Sequence, residues 1–250
     1  MSKPFHLLID AGNSQIKIAI WNGDTLSKHN SCTQNNFCSA LSRYKIKDIK
    51  KIFFVSVLSN EANREISTKL HKTFSIKPIQ LKATHSLMGV RNGYKKPSQL
   101  GDDRWCAVVG GHNIIKKPFM VVDCGSAISI DFVNFNARHE GGYILSGFEG
   151  YGNSFLHTHK LKNLKIKKIN LGTRTSIARE TSDALVRGYI LMVISSIERM
   201  YKEFATNMRC KPKLIITGPY SKEIFLHTSL NAKFEPDFVL KCLGVISMEY

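Results

Sequence analysis

The chain has 250 residues, of which 43% are hydrophobic and 22% charged, a composition that allows one large domain or two small ones with a sizeable core. No apolar run reaches the roughly 18 residues that a membrane-spanning helix needs. The segment from Met1 to Asp10 is too short, and too polar at its end, for a signal peptide. We therefore expect a cytoplasmic protein without a membrane span.

The formal net charge of +17 fits two interpretations, a polyanion-binding surface or a basic outer face without a partner. The six cysteines form no CxxC pair and no zinc-like spacing with histidine, so we expect reduced, free thiols. The densest group of lysines is interleaved with apolar residues, which favours an amphipathic surface over a nucleic-acid partner: Lys160, Lys162, Lys165, Lys167 and Lys168.

Hydrophobic periodicity predicts the elements of the first part of the chain. Glycine at position 12 marks a tight turn between the first two strands, and Pro118 ends the last helix. The predicted elements are strands at 5–10, 15–21 and 51–58, a helix from there to about 74, a loop at 81–100 and a helix at 102–115.

The second part begins with two more strands around a glycine turn. After them the pattern is mostly helical, with one long amphipathic stretch. The predicted elements are strands at 119–123 and 128–133, a mainly helical region from about 142 to 207 with its longest pattern at 181–204, a strand at 213–216 and a helix at 238–248.

The combination of a strand, an Asp-x-Gly turn and a second strand occurs twice. The copies, Asp10–Ser14 and Asp123–Ser126, lie about half the chain length apart, which predicts two related halves, 1–117 and 118–250. Paired hairpins of this kind resemble the nucleotide clamp of actin, hexokinase and acetate kinase. We therefore expect an α/β protein with duplicated ribonuclease H-like, actin-like ATPase domains, with a central mixed sheet flanked by helices.

The first turn carries groups suited to phosphate. Glycine at position 12 lets the backbone approach an anion closely, and backbone N–H groups with the Asn13 and Ser14 side chains can donate to phosphate oxygens. Asp10 can hold Mg²⁺ through water, and Lys17 can meet a phosphate charge. An ordinary hairpin turn would use the same residues, so the turn alone does not decide between these interpretations.

A third candidate is the segment from Gly101 to Arg104, which stands at the start of a predicted helix. Aspartates are favoured there by the helix dipole alone. The functional alternative takes one carboxylate as a base and Arg104 as a bidentate anchor for an anionic group.

Together these motifs resemble the type III pantothenate kinase family over nearly the whole chain. Each motif is short, but all stand in the family's order. They are Asp10–Lys17, Tyr94 with Pro97, Gly101–Arg104, Asp123–Ser126, Gly141–Gly147, and Thr181 with Ala184 and Gly188.

The resemblance implies an enzyme that uses ATP and Mg²⁺ to phosphorylate pantothenate, the first step of coenzyme A biosynthesis. Asp103 would be the general base, and Asp123 would bind a monovalent cation, K⁺ or NH₄⁺. ATP would contact Asp10, Ala11, Gly12, Asn13, Ser14, Gln15, Ile16, Lys17 and Ser126. Pantothenate would contact Tyr94, Gly101, Asp102, Asp103, Arg104 and, from the neighbouring subunit of a homodimer, Thr181.

Several positions depart from the family pattern. Ser126 replaces threonine, Ser146 replaces proline, and Pro219 replaces the second glycine of a Thr-Gly-Gly segment, which removes one backbone donor. Thr175 is an alternative to Thr181 as the substrate contact. Two other functions stay open: a non-catalytic transcription accessory factor that keeps the fold, and a kinase for another small hydroxylated acid.

Overall fold

A computed structural model describes residues 5–44, 49–155 and 177–250. They form two compact units. The chain passes from the first unit to the second at Lys116–Lys117, and two later segments return to the first. The first unit comprises Met1–Lys116, Phe135–Gly141 and Asp237–Tyr250, and the second comprises Lys117–Asn134 and Gly142–Pro236.

The first unit is built on a five-stranded mixed sheet with the order β3-β2-β1-β4-β5. The central strand β1 is antiparallel to β2 and parallel to β4. A separate two-stranded ribbon, β6 with β7, follows in the chain. The strands are β1 (Phe5–Ala11), β2 (Ile16–Trp21), β3 (Leu26–Cys32), β4 (Ile49–Ser56), β5 (Ile79–Gln80), β6 (Ser86–Leu87) and β7 (Val90–Arg91).

The second unit contains a sheet of the same design, with the order β10-β9-β8-β11-β12. Its central strand β8 is antiparallel to β9 and parallel to β11, as β1 is to β2 and β4. This shared order is the duplication that the two Asp-x-Gly turns predict. The strands are β8 (Phe119–Cys124), β9 (Ala127–Val133), β10 (His139–Ser146), β11 (Lys213–Thr217) and β12 (Ala232–Phe234).

Helices supply the apolar faces that cover the two sheets. In α2 the Ser59 hydroxyl accepts a hydrogen bond from the Ala62 N–H (3.2 Å), which caps the helix start. The longest helix, α5, buries residues spaced three and four apart, among them Tyr189, Val193 and Ile197. The helices are α1 (Phe37–Leu41), α2 (Asn60–Phe74), α3 (Asp102–Ile115), α4 (Phe148–Asn153), α5 (Thr181–Met208), α6 (Ser221–His227) and α7 (Phe238–Ser247).

Most predicted strands and helices are present, and the differences are strands that were not predicted. Within 81–100, which was predicted to be a loop, β6 and β7 form the two-stranded ribbon. The region from about 142 was predicted to be helical, but 142–146 belongs to strand β10. Strand β3 was not predicted. Both strands lie at a sheet edge and are largely exposed, so they lack the clear apolar alternation that marks a half-buried strand.

Further predictions meet the structure only in part. All six cysteines are free thiols. No helix within the described ranges is long and apolar enough to cross a bilayer. The lysine cluster at 160–168 lies outside the described residues, as does Thr175.

A buried histidine makes the stability of the first unit depend on pH. His6 is 2% exposed, and its Nδ1 lies 2.8 Å from the Ser247 hydroxyl. Because that hydroxyl donates to the Gly244 carbonyl (2.7 Å), Nδ1 must carry the proton that His6 donates to Ser247. Burial, and then the charge of Lys51, lowers the pKa of His6, so the folded protein favours the neutral ring.

We therefore expect the free energy of unfolding to fall as pH drops below the unfolded histidine value of about 6.5, because the unfolded state then binds more protons. His6→Gln keeps a donor but cannot titrate, so its unfolding free energy should depend less on pH between 5 and 7. Urea unfolding of both proteins at half-unit pH steps measures this difference. Equal slopes would show that His6 is not responsible.

Candidate active site

The first Asp-x-Gly turn joins β1 to β2 at the carboxyl end of β1. The turn closes through a hydrogen bond from the Gly12 N–H to the Gln15 carbonyl (3.0 Å), and Asp10 lies directly across from Lys17. The side chains at 13–15 are exposed. Ala11 and Ile16 are each 1% exposed, so these two could meet a ligand only through their backbone.

Lys17 takes part in an ion pair that links the turn to the start of α7. Its Nζ lies 3.2 Å from Asp237 Oδ1, and His29 Nδ1 lies 3.4 Å from Asp237 Oδ2. Asp237 directly precedes α7. The sequence gives no sign of this cluster, because Asp237 is 220 positions from Lys17.

The two adjacent acids at the start of α3 make different contacts. Asp102 Oδ1 accepts a hydrogen bond from the Ala83 N–H (2.8 Å), and its Oδ2 lies 3.1 Å from Lys82 Nζ. Asp102 thus anchors the preceding loop to the helix. Asp103 Oδ1 accepts from the Arg104 N–H at 2.7 Å, within the first turn itself.

Tyr94 and Arg104 form a pair beside these acids. Arg104 Nη1 donates to the Tyr94 hydroxyl oxygen at 3.0 Å, and its Cζ lies 5.6 Å from the centroid of the Tyr94 ring. Arg104 is only 8% exposed, although it carries a full charge. The structure therefore brings together Tyr94 and the segment 101–104, the residues that the resemblance assigns to pantothenate.

Burial and nearby charges together shift the pKa of the Cys106 thiol. Burial above all raises the pKa of Cys106 well above its usual range. Cys242 raises it further, followed by the carboxylates of Asp10, Asp103 and Asp102. The pKa of this buried thiol thus responds to Asp10 from the first turn and to Asp103 from α3.

The second turn, in the second unit, is enclosed by two glycines. The Gly125 N–H donates to the Ala127 carbonyl (3.0 Å), while the Ser126 side chain is exposed. A Cβ on Gly147 would collide with the Ser126 carbonyl, and a Cβ on Gly218 would collide with Asp123 Oδ1. Gly218 also has a φ of +95°, which favours glycine.

The departures from the family pattern lie around this second turn. The Ser146 carbonyl accepts a hydrogen bond from the Tyr189 hydroxyl (3.1 Å), which ties the end of β10 to α5. After Pro219, the Tyr220 N–H donates to the Cys124 carbonyl at 3.0 Å. The chain therefore returns to the Asp123 turn directly after the proline. Thr181 is the exposed first residue of α5.

A duplicated mixed sheet with an acidic glycine turn at the end of each first strand defines the actin-like ATPase fold. Over its whole length the chain is similar to MreB 5 of Spiroplasma citri bound to AMPPNP, with a TM-score of 0.50, 11% identity and 96% of that chain covered. The sequence profile of type III pantothenate kinase matches residues 6–203, and the chain belongs to that family.

Two individual proteins illustrate this relationship. A type III pantothenate kinase from Pseudomonas aeruginosa is 28% identical over 246 residues, with 96% of this chain and 97% of the relative covered. A solved structure from Campylobacter jejuni, named as a Baf family transcriptional activator, has a TM-score of 0.62 and 25% identity. That comparison covers 97% of this chain and 98% of the other.

The different contacts of the two acids predict different effects of removing their charge. The resemblance implies that Asp103 is the general base, and on that assignment Asp103→Asn should lower kcat by about a hundredfold or more. Asp102→Asn should lower kcat far less, because the amide oxygen still accepts from Ala83 and the partner Lys82 is half exposed. Steady-state kinetics of both folded variants test this, and a fully active Asp103→Asn protein would refute the base assignment.

The close approach of Gly218 to Asp123 predicts a sensitive position. Gly218→Ala should destabilise the protein by about 1 kcal/mol or more, because it adds both an unfavourable φ and a collision. Gly89→Ala is the matched control: its φ is +80°, but a Cβ there meets nothing within 4 Å. Urea midpoints of the two variants measure the difference. Equal losses would mean that backbone strain alone matters.

Proposed function

We propose that this protein transfers the γ-phosphoryl group of ATP to pantothenate, giving 4'-phosphopantothenate in the first step of coenzyme A biosynthesis. The observation that carries the proposal is the grouping at the start of α3, where Asp103 accepts from the Arg104 N–H and the Arg104 side chain donates to Tyr94. Family membership supports both the reaction and the substrate.

Asp103 acts as the general base in this proposal. It takes the proton of the pantothenate hydroxyl as that oxygen forms a bond to the γ-phosphorus, and the bond to the β–γ bridging oxygen breaks to release ADP. Asp102 is committed to Lys82 and the Ala83 N–H, so it is the weaker candidate for the base. Arg104 supplies a buried positive charge suited to the pantothenate carboxylate, and Tyr94 lines the same pocket.

The phosphates of ATP contact the first turn, from Asp10 to Lys17, and Ser126 contributes a hydroxyl. A Mg²⁺ ion that bridges phosphates and water needs only one or two protein carboxylates, and Asp10 fits this demand. Bound Mg²⁺ would neutralise charge that develops on the phosphate oxygens. Across the described residues no cluster of three or more His, Cys, Asp or Glu side chains could form a richer metal site.

A monovalent cation, K⁺ or NH₄⁺, binds at Asp123 in this proposal. Asp123 Oδ1 and the Cys124 carbonyl oxygen both border Gly218, so this part of the second unit offers the oxygen donors that such an ion uses. The protein works as a cytoplasmic homodimer in which Thr181 reaches the partner's substrate. The exposure of Thr181 at the start of α5 is compatible with that role.

A second candidate function is a non-catalytic transcription accessory factor. The Campylobacter jejuni structure named as a transcriptional activator favours it, as does the net charge of +17. The acids and cations of the candidate site argue for the kinase, because an accessory factor has no need to keep Asp10, Lys17, Asp103 and Arg104 together.

The decisive measurement is ADP release in a coupled assay with pantothenate, ATP and Mg²⁺. We expect turnover that rises when K⁺ or NH₄⁺ replaces Na⁺, and that disappears when pantothenate is omitted. Turnover with a different small hydroxy acid, but not with pantothenate, would preserve the kinase and change its substrate.

Absence of turnover in the wild-type protein, together with tight and salt-sensitive DNA binding in a gel shift, would instead favour the accessory factor. Contacts to DNA phosphates weaken steeply with salt, so the gel shift is repeated at two salt concentrations.

A further inference from the structure

The segment Phe135–Gly141, which follows β9 in the chain, belongs to the first unit and lies along the loop that carries Tyr94. The Arg91 N–H donates to the Ala137 carbonyl at 2.9 Å, and Arg91 forms a parallel bridge with Arg138. A Cβ on Gly93 would collide with the His139 carbonyl. The backbone around Tyr94 is therefore packed directly against 137–139.

The side chain of His139 continues this contact. It is 0% exposed, and its ring stacks on Tyr94 with centroids 5.7 Å apart and planes 16° from parallel. The Asn92 carboxamide oxygen accepts from the Tyr94 N–H at 2.9 Å and holds the backbone of the same residue. His139 thus holds the ring of Tyr94, and Asn92 holds its main chain.

We propose that His139 is a positioning residue for the pantothenate pocket: its ring holds Tyr94 in the orientation in which the Tyr94 hydroxyl meets Arg104. This inference rests on the proposed function for the identity of the substrate. His139 does not touch the reacting atoms. Removing the ring should therefore weaken pantothenate binding through Tyr94 and Arg104. ATP binding at the first turn and the base Asp103 should be unaffected.

The experiment compares variants that remove or keep the flat ring. His139→Leu should raise KM for pantothenate about three- to tenfold, the range that corresponds to loss of an aromatic pair. KM for ATP should change by less than about twofold, because the lost aromatic pair belongs to the pantothenate pocket. His139→Phe keeps a stacking ring, so its KM for pantothenate should stay close to that of the wild type. His139→Asn, which lacks the ring but keeps polar atoms, replaces the leucine variant if that protein does not fold.

His6→Phe is the matched control. His6 is also buried in the first unit, and its ring centroid lies at the same 5.7 Å from an aromatic partner, Phe53. Its replacement should lower stability without changing KM for pantothenate. A general effect of losing a buried histidine would change both variants alike.

A second readout does not depend on turnover. In protein labelled with fluorotyrosine, the ¹⁹F signal that is missing in Tyr94→Phe belongs to Tyr94. His139→Leu should shift that signal, because the stacked ring is gone, and His6→Phe should leave it in place. An unmoved Tyr94 signal would overturn the positioning role.

The outcomes separate the two claims. Wild-type turnover with an unchanged KM for pantothenate in His139→Leu would overturn this inference and leave the proposed function intact. Absence of wild-type turnover would remove the proposed function and with it the claim about pantothenate. The fluorine signal would still decide whether His139 holds Tyr94.

Discussion

In each sheet the central strand pairs in parallel with one neighbour, β1 with β4 and β8 with β11. This pairing decides where the protein can carry out chemistry. Strands β1 and β8 are buried and apolar through their middle, at 7–9 and 119–122. In open sheets of this kind ligands bind beyond the carboxyl ends of the strands. Asp10 and Asp123 stand at those ends, followed in each case by a glycine turn and an antiparallel second strand. The site residues thus depend on the strand order rather than on any local preference of the turn sequences.

The two copies of this arrangement have diverged in a way that suits different tasks. Across from Asp10 the second strand carries Lys17, whereas across from Asp123 it carries Ser129. The first turn therefore has a cation, held by Asp237, beside its carboxylate, which suits contact with phosphate. The second turn has Ser129 at that position instead, and its carboxylate lies against the tightly packed backbone at Gly218.

The sequence allowed the elements around the site to be predicted better than the contacts within it. Helix α3 spans Asp102–Ile115 as expected, because its apolar pattern runs from a glycine start to a stop at Pro118. Strands β3 and β10 were missed because they are exposed edge strands with weak alternation. The contacts of Lys17 with Asp237 and of Tyr94 with His139 join residues far apart in the chain. Only the fold brings such residues together, and no spacing rule could have shown them.

Arg104 is a buried cation at a helix start that carries two acids. An uncompensated guanidinium at 8% exposure would be costly, so nearby negative charge is required. Asp102 and Asp103 both lie in the first turn of that helix. In the proposed function Arg104 holds the anionic group of the substrate, so the orientation of its side chain governs binding. Arg104 donates to Tyr94, and the contacts that fix the tyrosine ring therefore also fix Arg104.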